Sequence, residues 1–286
     1  MTAINIKNLP AVIDDLPAEE YHSMTDYVSN SMESMFLESP REYQSQFIDK
    51  TTVKETSDAM RWGTALHALL LEPELIDSVA VRVPDSVLND KGHRRGKPWT
   101  DWKAQQSPDV FLWTGDEWEH LVAAVETIRR HPKASVLLSE PDAVEQSIFW
   151  LDEKTGLKRK CRIDVRKGRF IGDVKTSADV TDRAFSRSVN DFGYHRQGTF
   201  YSDGVKAAGL IEDPEFILIP VTKKPPFICY PRTIDVVSQQ VARLQIDTGL
   251  KELAACYDTG DWRLPGEDDL PTIGLPLYEL RNHGVI

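Results

Sequence analysis

The sequence of 286 residues has few cysteines and no long apolar run. Its three cysteines, Cys161, Cys229 and Cys256, lie far apart and form no CxxC pair. This spacing argues against a disulfide framework, an iron–sulfur cluster and a four-cysteine zinc site. No stretch of about 18 apolar residues occurs, and residues 1–18 lack a basic start followed by an apolar segment. We therefore expect a cytoplasmic protein with no membrane partner.

A nucleotide-binding P-loop is also missing. Residues 92–98 (GHRRGKP) are rich in glycine, but the spacing is not that of a P-loop and a proline follows the lysine. The sequence therefore predicts no ATP site, and with it no built-in helicase or ATPase motor.

Positive charge is scarce overall but is concentrated in two segments. The formal net charge is −11, whereas a protein that binds a polyanion usually presents a basic face. Residues 153–169 nevertheless carry eight Lys or Arg against two acids. A second basic stretch around Arg94 and Arg95 interleaves Trp99 and Trp102, which is typical of loops that contact phosphates and stack on bases. The alternative is a solvated loop whose tryptophans pack on the core.

Hydrophobic periodicity predicts a short arm followed by helices. Residues 1–18 contain two prolines and no clear period, so we interpret them as an N-terminal arm before a single domain over 19–286. Helical spacing predicts helices over about 30–37, around His67 and over 117–130, and residues 91–115 are predicted to be a loop.

In the middle of the chain, the hydrophobic pattern changes to one that is typical of strands. Segments 147–151, 160–165 and 170–176 alternate or run apolar between turns, which predicts a three-stranded antiparallel meander. The elements predicted after it are a helix, two strands and a last helix, at 194–208, 216–221, 227–230 and 236–257. This order indicates an α/β fold in which helices flank a mixed central sheet.

The pattern with the most chemical content is Asp164 followed nine residues later by Asp173-Val174-Lys175. Side chains alternate along a strand, so Asp173 and Lys175 share one face while Val174 points into the core. The turn at 166–169 brings Asp164 near Asp173. Two such carboxylates suit one or two Mg²⁺ ions, and Lys175 can orient a water and counter charge on a phosphate. The alternative is a solvated hairpin with a cross-strand ion pair.

Other residues add to this pattern. His67 lies on the same helix face as Gly63, where glycine lets another element approach closely, although a lone histidine is usually a satisfied core residue. Gln197 and Tyr201 are four residues apart on the helix after the meander, so both can reach one phosphate or the attacking water. Glu145 is a further acid near the meander, for which a surface glutamate is the preferred interpretation.

The order GxxxH, D, DxK and QxxxY resembles the RecB-type nuclease module of the PD-(D/E)xK superfamily. Here it reads 63–67, Asp164, 173–175 and 197–201. The surrounding sequence, including YVSNSM and GTALHALLLEP, resembles phage and prophage exonucleases related to exodeoxyribonuclease VIII (RecE-type), which are similar in fold to the lambda phage exonuclease. The resemblance spans roughly residues 21–201. Ile163 stands where the motif name has proline, and Asp173 stands where many relatives have glutamate.

The resemblance implies a metal-dependent deoxyribonuclease. It implies two Mg²⁺ ions, for which Mn²⁺ substitutes, and it makes Lys175 the residue that serves the nucleophilic water, with Gln197 and Tyr201 completing the catalytic set. The implied metal ligands are His67, Asp164, Asp173 and the Val174 carbonyl. The implied contact with a 5′ phosphate is Ser31, near a helix N-terminus. Together with the basic tryptophan segment, the expected DNA-binding residues are Ser31, Arg94, Arg95 and Trp99.

Direction and partners also follow from the resemblance. It implies an exonuclease that degrades the 5′ strand of double-stranded DNA from an end, in a bacterial host cell. The resulting 3′ overhang would serve a single-strand annealing recombinase, and the protein would form a ring-shaped trimer or tetramer. Two alternatives remain open: a structure-specific or restriction-type endonuclease on the same core, and a non-catalytic DNA-binding or assembly protein.

Overall fold

The computed structural model describes residues 6, 8–52, 57–108, 110–264 and 266–286. The strands in these ranges are β1 (Ala11–Ile13), β2 (Ala80–Arg82), β3 (Phe111–Trp113), β4 (Ala143–Leu151), β5 (Lys158–Lys167), β6 (Phe170–Ser177), β7 (Glu215–Thr222) and β8 (Arg232–Thr233). The α-helices are α1 (Ala18–Ser23), α2 (Asn30–Glu38), α3 (Pro40–Tyr43), α4 (Asp58–Leu71), α5 (Ile76–Val79), α6 (Lys97–Lys103), α7 (Gly115–Arg130), α8 (Pro132–Leu138), α9 (Asp182–Asp191), α10 (Tyr194–Ala207), α11 (Val236–Thr259) and α12 (Leu277–Asn282). A π-helical turn spans Gln44–Ile48, and short 3-10 turns span Pro73–Leu75 and Asp85–Val87.

A six-stranded sheet runs in the order β1-β4-β5-β6-β7-β8, and β2 pairs with β3 in a separate parallel sheet. Strands β4, β5 and β6 are consecutive antiparallel neighbours, so the predicted meander is confirmed. Strand β7 is parallel to β6, because the chain between them crosses over through α9 and α10. The predicted mixed α/β fold is therefore confirmed.

The two faces of the sheet pack against different helices because alternate strand residues point in opposite directions. On one face, Val174 and Ile219 pack in a cluster with residues of α4 and α7. On the other face, Ile171 and Leu218 pack with residues of α10 and α11. Val174 is thus a core residue, as the alternation predicts, while its neighbours in sequence lie on the opposite face.

Local sequence fixes where α4 begins and ends. Ser57 caps the helix by accepting a hydrogen bond from Met60 N. Leu66 and Leu70 recur at helical spacing on the buried face, and Pro73 follows the end of the helix. This helix carries His67 to the sheet.

Helix α10 lies unusually close to the sheet because a glycine occupies its contact face. A Cβ atom at Gly198 would lie 2.5 Å from Cδ1 of the Phe216 ring on β7. Any larger residue would push the helix and the strand apart. Gly198 follows Gln197, so this close contact also sets how near Gln197 comes to β6.

Two predictions for loops and strands were wrong. Residues 91–115 were predicted to be a loop, but they contain α6 and β3; Pro98 occupies the start of α6, where a missing N–H costs nothing. The strand predicted at 227–230 is reduced to a single bridge between Cys229 and Val221, and β8 forms further along the chain. The prolines on both sides of this segment lack the N–H groups that a ladder needs.

Two other segments differ from the sequence interpretation. Residues 11–13 of the predicted arm form β1, which pairs with β4 at the edge of the sheet. Helix α9 was not predicted, because its apolar residues are few and charged residues separate them. None of the described helices combines the length and the apolar composition that a bilayer crossing needs.

Candidate metal and active site

The imidazole of His67 meets three groups from three neighbouring strands. His67 Nε2 donates a hydrogen bond to the carbonyl oxygen of Val174 on β6 over 3.0 Å. Its Nδ1 lies 3.6 Å from Asp164 Oδ2 on β5 and 3.6 Å from Glu145 Oε1 on β4. The structure therefore brings His67, Asp164 and the Val174 carbonyl together, although they are up to 107 residues apart in sequence.

Asp164 lies where the β5–β6 ladder stops. The ladder pairs Val165 with Gly172, and continuing its register would put Asp164 opposite Asp173. Instead, Asp164 Oδ2 accepts a hydrogen bond from Val174 N over 2.7 Å. The carboxylate thus replaces a backbone partner, and β5 and β6 separate at this point.

Glu145 occupies the matching position on β4. The register pairs Val144 with Val165 and Gln146 with Ile163, so Glu145 stands opposite Asp164. Its φ of 46° lies in the left-handed region, which is rare for a residue with a side chain and is a form of strain often found at functional sites. The preferred interpretation of Glu145 as a surface glutamate is wrong, because its partly buried carboxylate faces His67.

Asp173 and Lys175 share the other face of β6 and contact each other. Lys175 Nζ lies 2.5 Å from Asp173 Oδ2, and Gln197 Nε2 on α10 donates to Asp173 Oδ1 over 2.7 Å. The ion pair does not give Oδ2 a hydrogen bond of good direction, and no other described residue supplies one. Asp173 is fully buried, and the Lys175 ammonium is the charged partner of its Oδ2.

The site concentrates charge in a buried place. Burial raises the pKa of Asp173 to about 6, with Lys175 opposing the shift and Asp164 adding to it. Burial also raises the pKa of Asp164, against the effect of His67. For His67, burial disfavours the charged ring, but Asp164 and Glu145 outweigh it and raise the pKa to about 9. The carboxylates therefore hold their negative charge at a cost that a nearby cation reduces.

These donors fit a hard divalent cation. One ligand atom each from His67, Glu145 and Asp164 lies within 4.8 Å of the others. Carboxylate and carbonyl oxygens suit Mg²⁺, and an imidazole nitrogen is also acceptable to Mn²⁺. Oδ2 of Asp173 has a further lone pair besides the one that faces Lys175, so it is another oxygen donor. We infer that the residues present fit such a cation.

The site opens into a cleft of about 790 Å³, here called the metal cleft, whose lining includes His67, Glu145 and Gly63. The expectation that Gly63 lets another element approach closely is wrong. Apart from its chain neighbours and the nearby backbone of α4, no atom of the described residues lies within 4 Å of the place where its Cβ would be, because Gly63 faces the open cleft. Glycine at this position leaves room beside His67 for a ligand.

Tyr201 lies one helical turn after Gln197 on α10. Its ring packs edge-on against Phe216, with 6.1 Å between the centroids. Burial raises the pKa of Tyr201 well above 10, and the charge of Asp173 adds to the shift. The phenol therefore stays protonated and can act only as a neutral hydrogen-bond donor or acceptor.

The residues predicted to contact DNA lie in two places. Ser31 is exposed near the start of α2, and its Oγ lies 3.0 Å from Oγ of Ser29, which caps the helix. Arg94 donates hydrogen bonds to Glu117 and to the Leu112 carbonyl, so its charge is partly neutralised. Arg95 is exposed, and Trp99 lies half-buried on α6.

Comparison with known proteins gives a family and a similar fold. The family model described as "PDDEXK-like domain of unknown function (DUF3799)" matches residues 29–265. A crystal structure of a "putative exonuclease" from Eubacterium rectale has a TM-score of 0.63 and 16% identity, over 95% of this chain and 99% of that chain. At this identity the likeness shows the fold alone. A crystal structure of SSO0001, with 14% identity over 76% of this chain and 85% of that chain, has a TM-score of 0.25 and carries no argument. No curated protein matches the sequence.

We predict that Mg²⁺ or Mn²⁺ stabilises the wild-type protein, because a cation that binds only the folded site favours the folded state. At a concentration 100-fold above the dissociation constant, the free energy of unfolding should rise by about 2.7 kcal/mol. Asp164→Asn, which keeps the shape but removes a charged ligand, should lose most of this increment. Thermal unfolding with and without the cation measures it.

The matched control is Asp213→Asn, which changes an exposed aspartate that pairs with Arg169. This variant should keep the full increment. Equal increments in wild type and in Asp164→Asn would contradict the assignment of Asp164 as a metal ligand.

Proposed function

The chain belongs to the family of PDDEXK-like domains named DUF3799, and from that membership we propose that it is a divalent-metal-dependent deoxyribonuclease. The observation that carries the proposal is the convergence of Asp164, Asp173 and Lys175 with His67 at the point where β5 and β6 separate. A nuclease needs negative ligands for a cation and a positive donor beside them, and these residues supply both.

A cation held by His67, Glu145, Asp164, Asp173 and the Val174 carbonyl would supply Lewis-acid chemistry, polarising the scissile phosphate and making a water more acidic. We propose Mg²⁺ as the natural ion, Mn²⁺ as a substitute and two ions per site. The support is a donor set dominated by carboxylate and carbonyl oxygens, with one imidazole.

Lys175 acts in this proposal as a donor and not as a base. Burial disfavours its charge, but Asp173 and Asp164 outweigh burial and raise the pKa of the ammonium group above its usual value. The group therefore stays protonated at neutral pH. It can orient the attacking water and counter the negative charge that develops on the phosphate.

The neighbouring residues on α10 position this machinery. Gln197 holds one oxygen of Asp173 and so fixes how the carboxylate is turned. The protonated Tyr201, on the same helix face, is available to donate a hydrogen bond to a phosphate oxygen.

We predict that Lys175→Ala lowers turnover about 10²- to 10³-fold at saturating Mg²⁺, because it removes one electrostatic contact with the transition state. Metal affinity should change much less, since the ammonium group is not a ligand. Asp164→Ala and Asp173→Ala should instead lose both metal binding and cleavage. Release of nucleotides measures turnover, and the metal-dependent thermal shift measures metal binding. Normal turnover in Lys175→Ala together with weak metal binding would contradict this division of roles.

The finer part of the proposal is a 5′ to 3′ exonuclease on double-stranded DNA ends, which leaves 3′ overhangs for a single-strand annealing recombinase. Its support is the ordered set of motifs shared with RecE-type exonucleases and the exonuclease name given to the similarly folded Eubacterium rectale protein. Ser31, exposed near the start of α2, is the proposed contact for the 5′ phosphate.

We predict that linear duplex with a 5′ phosphate is degraded faster than the same duplex with a 5′ hydroxyl, because the terminal phosphate anchors the strand. Duplexes labelled at the 3′ end of one strand report this rate. Ser31→Ala should reduce the preference, while Ser186→Ala, which changes an exposed serine on α9, should not. Early release of the 3′ label as mononucleotide would contradict the proposed 5′ to 3′ direction of digestion. Cleavage of closed circular duplex would favour the endonuclease alternative.

We also propose a ring-shaped homo-oligomer, a trimer or tetramer. Its support is exposed apolar surface on α11, where Val237, Val241 and Leu244 recur at helical spacing, together with exposed Leu270 and Ile273 in the C-terminal segment. Contiguous exposed apolar residues are typical of interfaces.

We predict that light scattering after size exclusion gives a mass of three or four chains, and that Leu244→Asp shifts the population toward the monomer. Val136→Asp, at an exposed apolar position on α8, is the control and should leave the mass unchanged. A monomeric wild-type protein would rule out the ring.

A further inference from the structure

A second cleft, of about 690 Å³, borders the same helix that carries His67. We call it the tryptophan cleft; its lining includes Arg61 and Trp62 of α4, Trp99 and Lys103 of α6, and Phe111 and Trp113 of β3. The sequence alone indicates only the basic segment with Trp99. The aromatic residues of α4 and β3 become its neighbours only in the folded chain.

We propose that the tryptophan cleft binds an unpaired nucleotide of the DNA strand that passes the metal cleft. Its base would stack on Trp99, and its phosphate would pair with Arg61 and Lys103. The inference rests on the proposed nuclease function and adds to it a separate site for single-stranded DNA.

The walls of the cleft have the character of a stacking site. Trp62 and Trp113 lie with 6.1 Å between ring centroids, and the guanidinium of Arg61 lies 5.5 Å from the centroid of Phe111. Trp113 is buried and fixes one wall, whereas Trp99 is only half-buried and offers part of its ring to the cleft. Stacking of a base on one aromatic ring typically strengthens binding about 5- to 150-fold.

The charges of the cleft complement a phosphate. Its cations are Arg61, Arg94 and Lys103, and its acids are Asp58 and Glu117. Arg94 lies 2.7 Å from Glu117, so this pair contributes little net charge. Neither Arg61 nor Lys103 forms an ion pair with a carboxylate of the described residues. Two cations beside aromatic rings are what a single strand of nucleic acid requires.

Helix α4 separates the tryptophan cleft from the metal cleft. Asp58, Arg61 and Trp62 face the former, and Gly63, Thr64 and His67 face the latter. Arg61 and His67 are six residues apart, which is about 9 Å along a helix, or roughly three bases at the 3.4 Å spacing of stacked DNA. A strand at the metal cleft can therefore reach the tryptophan cleft within a few nucleotides.

The size of the cleft selects an unpaired base. A cleft of about 690 Å³ has the volume of a small-ligand pocket and cannot enclose a duplex. A base inside a duplex is stacked on both neighbours and offers no free ring face to Trp99, and the terminal pair, which has one free face, would have to enter the cleft as a whole pair. Only a base that has left the duplex can enter between the tryptophan walls.

The test is binding of a fluorescent 20-nucleotide oligo-dT to the full chain in EDTA, where no hydrolysis occurs, followed by anisotropy. Trp99→Ala should weaken binding about 5- to 150-fold, and Trp99→Phe, which keeps a ring, should recover most of the loss. The control is Tyr278→Ala, which removes an exposed ring on α12 outside the lining of the cleft and should change binding little. The unfolding midpoint of each variant checks that it is folded.

An oligonucleotide with abasic sites separates stacking from other effects. If Trp99 stacks on a base, Trp99→Ala should weaken binding of the abasic strand much less than binding of oligo-dT. Equal losses for the two strands, or no loss for either, would overturn the assignment. Arg61→Ala and Lys103→Ala should each reduce the slope of log affinity against log salt by about 0.7, and Arg94→Ala should reduce it less.

The outcomes also separate this inference from the nuclease proposal. If the protein binds single strands through Trp99 but cleaves no DNA with Mg²⁺, the nuclease proposal is contradicted and the proposed single-strand site in the tryptophan cleft is supported. If the protein cleaves DNA but binds oligo-dT equally well with and without Trp99, only the proposed single-strand site in the tryptophan cleft is contradicted.

Discussion

The hydrogen bond from Val174 N to Asp164 Oδ2 is the contact on which the site depends. It forms where the β5–β6 ladder ends, so a side chain takes the place that a backbone carbonyl would occupy. The carbonyl of the same residue accepts the hydrogen bond from His67. Both polar backbone groups of Val174 are thus used by the site, while its side chain stays in the core. One core residue therefore fixes the relative positions of β5, β6 and α4.

The same arrangement buries two aspartates where their negative charge is disfavoured. Two aspartates are buried within mutual influence, and burial raises the pKa of both. The chain offsets this with Lys175, Gln197 and His67, which contact or face the two carboxylates. Burial still outweighs these partners in raising both pKa values, which is a cost that a core built for stability alone would avoid. The incomplete compensation indicates a site organised around a positive ligand.

The residues of this site that could be predicted are those whose placement follows from the repeat of side-chain directions along a single strand or helix. The two-residue period of a strand placed Asp173 and Lys175 on one face, and the four-residue spacing of a helix brought Gln197 to the same side as Tyr201. Glu145 could not be assigned in this way, because its role depends on the register between β4 and β5 and on a left-handed backbone angle. Register is set by long-range packing, which a single sequence does not reveal. The helix α6 escaped prediction for a different reason: glycine and proline dominate its start, and they usually mark loops.

Helix α4 contributes residues to the lining of both clefts. Trp62 and Gly63 are adjacent in sequence, but a step of one residue turns a helix by about 100°, so they face different spaces. The largest side chain of the helix lines one cleft, and the residue with no side chain leaves the other open beside His67. The helix is held by its capped start at Ser57 and by its buried leucines, so the residues that it gives to the two clefts keep a fixed spacing along it. A strand that engaged both would be held at a fixed distance from the proposed cation ligands, and such positioning would favour hydrolysis at a defined phosphate.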